Sequence, residues 1–211
     1  MINEKKTVKT SDLFGSIADQ LRQDRSRIND LDRVGGNGNH GDNMVANFEM
    51  LAKELRNEPN EDAGVQLRHA AELMQQRGRG ASAQIYAEGL RQASQQVAGK
   101  QGIGLEDLVP LLQGLLGGVQ SRTDAQPGQG TMMDALIPGI MGFIGARSAG
   151  RGGIQAAMEA IQAATQGANQ TQRQPSQYGQ YRREQTEPYQ DPGASSGASF
   201  LQGLFNQFIG G

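Results

Sequence analysis

The sequence contains no cysteine, which excludes disulfide bonds, thiolate catalysis and Cys-ligated zinc. Tryptophan is absent too, and only 5% of the residues are aromatic, so a core must rest on aliphatic side chains and a handful of Phe and Tyr. Two histidines, His40 and His69, are too few for a His-rich metal centre. Neither sign of charge is in surplus: 14 basic and 14 acidic residues fall within the first hundred positions, and 6 and 8 follow. Contacts with several nucleic-acid phosphates need clustered Lys and Arg, so a nucleic-acid partner held on a basic face is excluded. The longest uncharged apolar stretch, residues 135–146, is broken by Pro138 and glycines and is well below the ~20 residues that span a bilayer. The opening MINEKKTVKT lacks the apolar segment of a signal peptide, which predicts a cytoplasmic protein with no membrane partner.

What remains is a chain of 211 residues, 36% hydrophobic, enough for one domain with a real core. Its 30 glycines are about twice the average usage and lack a collagen-like period. Apolar residues recur at helical spacing almost throughout, and strand alternation is nearly missing. Leu13, Phe14, Ile17, Leu21, Ile28 and Leu31 predict a first helix over residues 11–32. Asp42 reads as the N-cap of a second and Asn60 as the N-cap of a third. Helices four to seven are expected near residues 81–98, 105–119, 131–144 and 154–168, with Pro138 kinking the sixth, and an eighth is carried by Phe200, Leu204 and Phe208. The expected fold is all-α: an eight-helix antiparallel up-and-down barrel or bundle spanning residues 11–211, after a flexible tail over residues 1–10. Residues 170–192, with seven glutamines and three of the four tyrosines, are expected to form a mobile lid loop.

Connection length carries the functional content. Links two to three, four to five and six to seven are short, whereas one to two, five to six and seven to eight are long or glycine-rich. If neighbours run antiparallel, helices two, four, six and eight start at one end, beside all the elaborate loops. Four positive dipole ends and glycine-rich backbone at one rim form a natural anion site, and a phosphate-bearing ligand is the first expectation. The alternative is that the glycines only terminate helices. The loop VGGNGNHGDNM, residues 34–44, either wraps a nucleotide or merely turns the chain between two helices. Asp30 and Asp32 are either metal ligands or solvated residues near a helix end. No GxSxG, GxxxxGK[ST] or HExxH motif is present.

Taken in order, these segments resemble the nucleotide-binding L-type subunit, DhaL, of dihydroxyacetone kinases. That family's first motif, D-x-x-x-G-D-x-D-H-G-x-N-M, is matched by DRVGGNGNHGDNM, residues 32–44. Its G-G-A-S-G turn is matched by RGASA at residues 79–83, its P-G-D-K-T-M-x-D-A-L-x-P by PGQGTMMDALIP at 127–138, and its D-P-G-A by residues 191–194. The resemblance implies an eight-helix barrel with ADP or ATP and magnesium at one end, working with a separate K-type subunit that carries dihydroxyacetone. Carried over by position, it implies nucleotide contacts at His40, Gly41, Asp42, Asn43, Ala81, Ser82, Met132, Asp191, Pro192 and Gly193. Three aspartates of the first motif hold two magnesium ions in that family. Here Asp32 keeps the first position, but the others are Asn37 and Asn39.

An amide keeps the shape of a carboxylate and deletes its charge, and magnesium is a hard cation held through carboxylates and phosphates. Phosphoryl transfer depends on that metal clamp. The resemblance with these two changes predicts weakened magnesium binding and a pseudoenzyme, a non-catalytic binding or regulatory module that engages a K-type subunit or a regulatory protein. The competing expectation is an active nucleotide-binding subunit of a dihydroxyacetone (glycerone) kinase.

Overall fold

The computed structural model describes residues 7–120, 133–173 and 189–209. Among the described residues eight α-helices carry the fold: α1 (Thr10–Gly35), α2 (His40–Arg56), α3 (Ala63–Arg77), α4 (Ser82–Gln96), α5 (Leu108–Gln120), α6 (Met133–Ser148), α7 (Gly153–Gln170) and α8 (Pro192–Ile209). A 3-10 turn, Leu105–Asp107, leads into α5. Two two-residue strands, β1 (Gln172–Arg173) and β2 (Tyr189–Gln190), pair antiparallel, a feature the apolar pattern did not suggest. They close the two ends of the long α7–α8 connection, whose residues 174–188 lie outside the described part, as does most of the segment expected to be a lid.

Each helix touches the next in chain order, and α8 returns to pack along α1, so the ring closes. The expected all-α, eight-helix antiparallel barrel is the observed fold. Among the described residues no helix is long and apolar enough to cross a membrane.

The core follows from the apolar stripes. Leu13, Phe14, Ile17, Leu21 and Ile28 of α1 are all buried. Phe48 of α2, fully buried, gathers three neighbours: Phe14 at 6.0 Å between ring centroids, Phe200 at 5.6 Å, and Tyr86 edge-on at 5.3 Å. Four helices thus meet on one ring, two neighbours tilted against it and one edge-on, the last a geometry that aromatic quadrupoles favour. Phe143 and Phe205 join α6 to α8 at 5.2 Å. Along α7 the buried face is all alanine, Ala156, Ala157, Ala160, Ala164 and Ala168, and α6 presents Gly139 and Gly142 to it. Small residues on both sides let the backbones approach.

Three local expectations are corrected. The N-cap of α3 is Asp62, not Asn60: its carboxylate accepts from Val65 N at 3.0 Å and also from Gly99 N at 2.8 Å, while the Asn60 amide oxygen accepts from Asp62 N. The third helix therefore starts later, because Asp62 serves two loops at once. Asp42 does not cap α2, which begins at His40 with Asn39 in the N-cap position. The tail expected over residues 1–10 is docked at its described end: Val8 is buried and exchanges backbone hydrogen bonds with Ile103 at 2.8 and 2.9 Å. Thr10 and Ser11 are buried within α1. Pro138 lies inside α6, where it removes one ladder bond.

Among the tight crossings is α1 on α8. A Cβ on Gly203 would fall 2.6 Å from Ile17 Cα and 2.9 Å from the Ser16 carbonyl oxygen, and Ser16 Oγ donates to the Gly203 carbonyl at 2.7 Å. These are backbone atoms that cannot swing aside. Gly203→Ala is expected to lower unfolding free energy by about 1–3 kcal/mol through overpacking, read as a reduced midpoint in urea denaturation with an unchanged slope.

Candidate functional site

The rim forms around one carboxylate. Asp32, in the last turn of α1, accepts hydrogen bonds at Oδ2 from Asn39 N at 3.0 Å and His40 N at 3.2 Å. These are the free N–H groups at the start of α2, so a side chain from the preceding helix caps α2 and places negative charge on its positive dipole end. The turn between the helices takes four residues, 36–39, and Gly38 adopts φ +75°, with the Arg33 stem packed against its Cα. That backbone conformation and that packing together require glycine. Where Gly41 follows in α2, a Cβ would lie 2.6 Å from the Arg25 carbonyl oxygen, so α1 and α2 touch backbone to side chain-free backbone.

Behind this turn, Asn29 of α1 accepts from Asp42 N at 3.2 Å and donates to Asp42 Oδ2 at 3.0 Å, and Arg25 Nε stands 3.6 Å from Asp42 Oδ1. The Asp42 side chain is therefore a brace between α1 and α2. Asn43 donates to Asn39 Oδ1 at 3.0 Å and lies against Gly80, whose φ is +78°. The α3–α4 turn is tied down further by Asn47, which is buried: it accepts from Arg79 N at 2.7 Å and donates to Arg79 O at 2.9 Å. Ser82 Oγ approaches Met44 Sδ at 3.7 Å.

The start of α8 completes the rim. Buried Asp191 accepts from Ala194 N at 2.7 Å as its cap, and Pro192 occupies the first helical position, where its missing N–H costs nothing. Ser196 Oγ donates to the Gly193 carbonyl at 2.9 Å and lies 2.9 Å from His40 Nε2. With the hydroxyl proton used on Gly193, the imidazole is the donor in that pair. Arg27 donates to Ser195 Oγ at 2.5 Å and pairs with Asp24, whose Oδ2 also accepts from Ser199 at 2.8 Å and Gln20 at 3.0 Å. Burial alone would raise the Asp24 carboxyl, but the hydrogen bonds from Gln20 and Ser199, with Arg27 adjoining, outweigh it and hold it below the ordinary carboxylate value. Tyr86, buried beneath, has its phenol pushed up by desolvation and stays protonated.

The structure thus brings together His40, Gly41, Asp42, Asn43, Ala81, Ser82, Asp191, Pro192 and Gly193 at the N-terminal ends of α2, α4 and α8. Asp32, Asn37 and Asn39 lie in and beside the turn at the same end. Met132 and the 127–132 loop fall outside the described residues. Among the described residues, no three His, Asp or Glu side chains are grouped so as to hold a metal ion. Sequence reasoning missed Asn29 and Asn47, whose partners lie 13 and 32 positions away, and the Asp24–Arg27–Ser195–Ser199 brace. A lone polar residue in the apolar stripe of α2 was the available signal for Asn47.

The depressed Asp24 carboxyl fixes a pH dependence. Its native-state pKa lies below the unfolded value of about 3.9, so its contribution is present above that value and is lost as pH falls through the native one. Asp24→Asn is expected to lower stability at neutral pH and flatten the acid limb of the stability curve, measured by denaturant titrations across the acid range.

Residues 35–206 match the model of the DAK2 domain family. The chain is 28% identical over 177 residues to the ADP-binding subunit DhaL of the PEP-dependent dihydroxyacetone kinase of Escherichia coli K12, covering 82% of this chain and 84% of that one. It is 27% identical over 139 residues to the ADP-binding subunit DhaL of PEP-dependent dihydroxyacetone kinase 2 of Listeria innocua, covering 63% and 64%. Among solved structures, the native dihydroxyacetone kinase of C. freundii superposes with a TM-score of 0.65 at 20% identity, over 98% of this chain and 36% of that one. The same kinase in complex with AMP-PNP and Mg2+ gives 0.65 at 21% identity, over 98% and 35%. These superpositions establish likeness of fold, and the chain spans about a third of the C. freundii kinase. With the family model matched over more than half of its length, the chain belongs to the DAK2 domain family.

Proposed function

We propose that this protein is a DhaL-type nucleotide-binding module whose magnesium-dependent phosphoryl transfer is impaired, and that it serves as a non-catalytic binding or regulatory component in the cytoplasm. The observation that carries the reading is the composition of the rim. Three helix N-termini and two glycine turns with positive φ gather where phosphate oxygens are best met by backbone N–H groups. At the three positions where the DhaL motif has aspartate, this chain has one carboxylate, Asp32, and two amides, Asn37 and Asn39.

The donor set falls short of a two-magnesium centre. Asp32 Oδ2 already takes two backbone N–H groups, and the Asn39 amide oxygen already accepts from Asn43. A single negative charge from protein offsets little of the four positive charges on two dications. These residues do not fit a pair of magnesium ions, so no phosphoryl-transfer step is assigned to them. One ion shared with a nucleotide's own phosphates is the most the site supports. ADP or ATP then leans on backbone N–H groups and helix dipoles, and His40, whose imidazole is already tied to Ser196, acts by holding α2 to α8.

The second reading is an active nucleotide-binding subunit that works with a K-type, dihydroxyacetone-binding partner. It is favoured by the extent of the E. coli match, 84% of that ADP-binding subunit, and by retention of Asp32 and His40 in the motif. Calorimetric titration with ADP, with magnesium and with chelator, separates the two. The proposed reading predicts ADP binding that magnesium improves less than about threefold, rising to about tenfold or more in an Asn37→Asp/Asn39→Asp variant. Failure of ADP to bind under both conditions would contradict nucleotide binding, and phosphorylation of dihydroxyacetone on adding a K-type subunit would establish the second reading.

A further inference from the structure

The geometry points to Asn37 as a site of spontaneous deamidation in the folded protein, which converts it to aspartate and supplies a second carboxylate beside Asp32. Among all the asparagines, Asn37 alone is followed by glycine. Asn29, Asn43, Asn47, Asn169 and Asn206 lie within helices, where the backbone N–H that would attack is committed to the helical ladder. Asn39 and Asn57 are followed by His40 and Glu58, whose side chains hinder attack and whose N–H groups are hydrogen-bonded. Asn37 is exposed and lies outside both α1 and α2. Within its turn, the N–H groups of Gly36, Asn39 and His40 are all used, on Asp32 O or Oδ2, whereas the Gly38 N–H has no partner among the described residues. That unengaged N–H is the nucleophile the reaction needs, and Gly38 has no Cβ to hinder its approach.

The step balances with water as the only co-reactant. The Gly38 backbone nitrogen bonds to Asn37 Cγ, the Cγ–Nδ2 bond breaks, and ammonia leaves carrying the former Gly38 amide proton. The resulting five-membered imide is hydrolysed by water at one of its two carbonyls. Opening at the backbone carbonyl gives isoaspartate, which lengthens the main chain by one methylene, and opening at the side-chain carbonyl gives aspartate at position 37. Nothing is oxidised or reduced.

Position matters more than the chemistry itself. Residue 37 sits between Gly36, whose Cα abuts the Asp32 carboxylate, and residue 39, whose N–H is bonded to that carboxylate. A charge gained there lands at the mouth, at a position the proposed function reads as a vacated metal ligand. The inference about the ion rests on that reading, whereas the deamidation does not.

Peptide mass mapping of the intact protein, held for days at physiological temperature and mildly alkaline pH, tests the modification. The expected result is loss of amide at Asn37 alone, as aspartate and isoaspartate, with none in an Asn37→Gln variant. Retention of the amide in the folded protein, while a free peptide of residues 32–44 converts, would overturn the proposal. Mn2+ alone, titrated without nucleotide into fresh protein, aged protein and an Asn37→Asp variant, tests the consequence. Binding about tenfold tighter in the variant, with aged protein moving towards it, is expected; equal affinity in all three would overturn the metal-ligand assignment. Neither outcome depends on ADP binding, which the calorimetry above decides separately.

Discussion

The rim depends on a single carboxylate accepting the first N–H groups of the next helix. Asp32 fixes where α2 begins, and through α2 it fixes the rest. With α2 started at His40, the imidazole meets Ser196 on α8, Asn43 meets the α3–α4 turn at Gly80, and Asn47 holds Arg79. One residue therefore coordinates elements that lie far apart in the chain. In the proposed reading the same residue is also the one carboxylate left for an ion, so a structural and a chemical demand fall on one side chain.

The rim holds its shape without carboxylates at positions 37 and 39. The contacts that shape it are made by backbone N–H groups, by amides such as Asn29 and Asn47, and by serine hydroxyls on α8, none of which require charge at positions 37 and 39. Replacing Asp by Asn there keeps a polar donor and acceptor of nearly the same size, and Asn39 uses it to hold Asn43. Shape and charge are thus separable at this mouth: the scaffold survives and the electrostatics change. A pair of dications is the ligand most sensitive to that change, because its stability scales with the number of anionic ligands, whereas an anion held by dipoles feels it little.

Much of the fold was legible because its determinants are local. Apolar residues three and four apart placed all eight helices, and link lengths placed the glycine-rich turns at one end. What escaped were interactions closed over distance. Asp42 and Asn60 look like caps by their neighbours, but α2 is capped by Asp32 across the turn and α3 by Asp62, which also serves Gly99. The Val8–Ile103 pairing and the Arg27–Ser195 contact join residues about a hundred or more positions apart, and no periodicity encodes them. The candidate site residues came from a family motif rather than from periodicity, and the bracing residues around them belong to no such motif.

In the proposed function, a shortage of negative charge at the mouth limits how many divalent cations it holds. Anomalous diffraction from crystals grown with ADP and Mn2+ counts the ions there directly. At most one manganese peak beside the nucleotide phosphates is predicted for unaged protein; two peaks bridged by the diphosphate and seated on Asp32, Asn37 and Asn39 would contradict it.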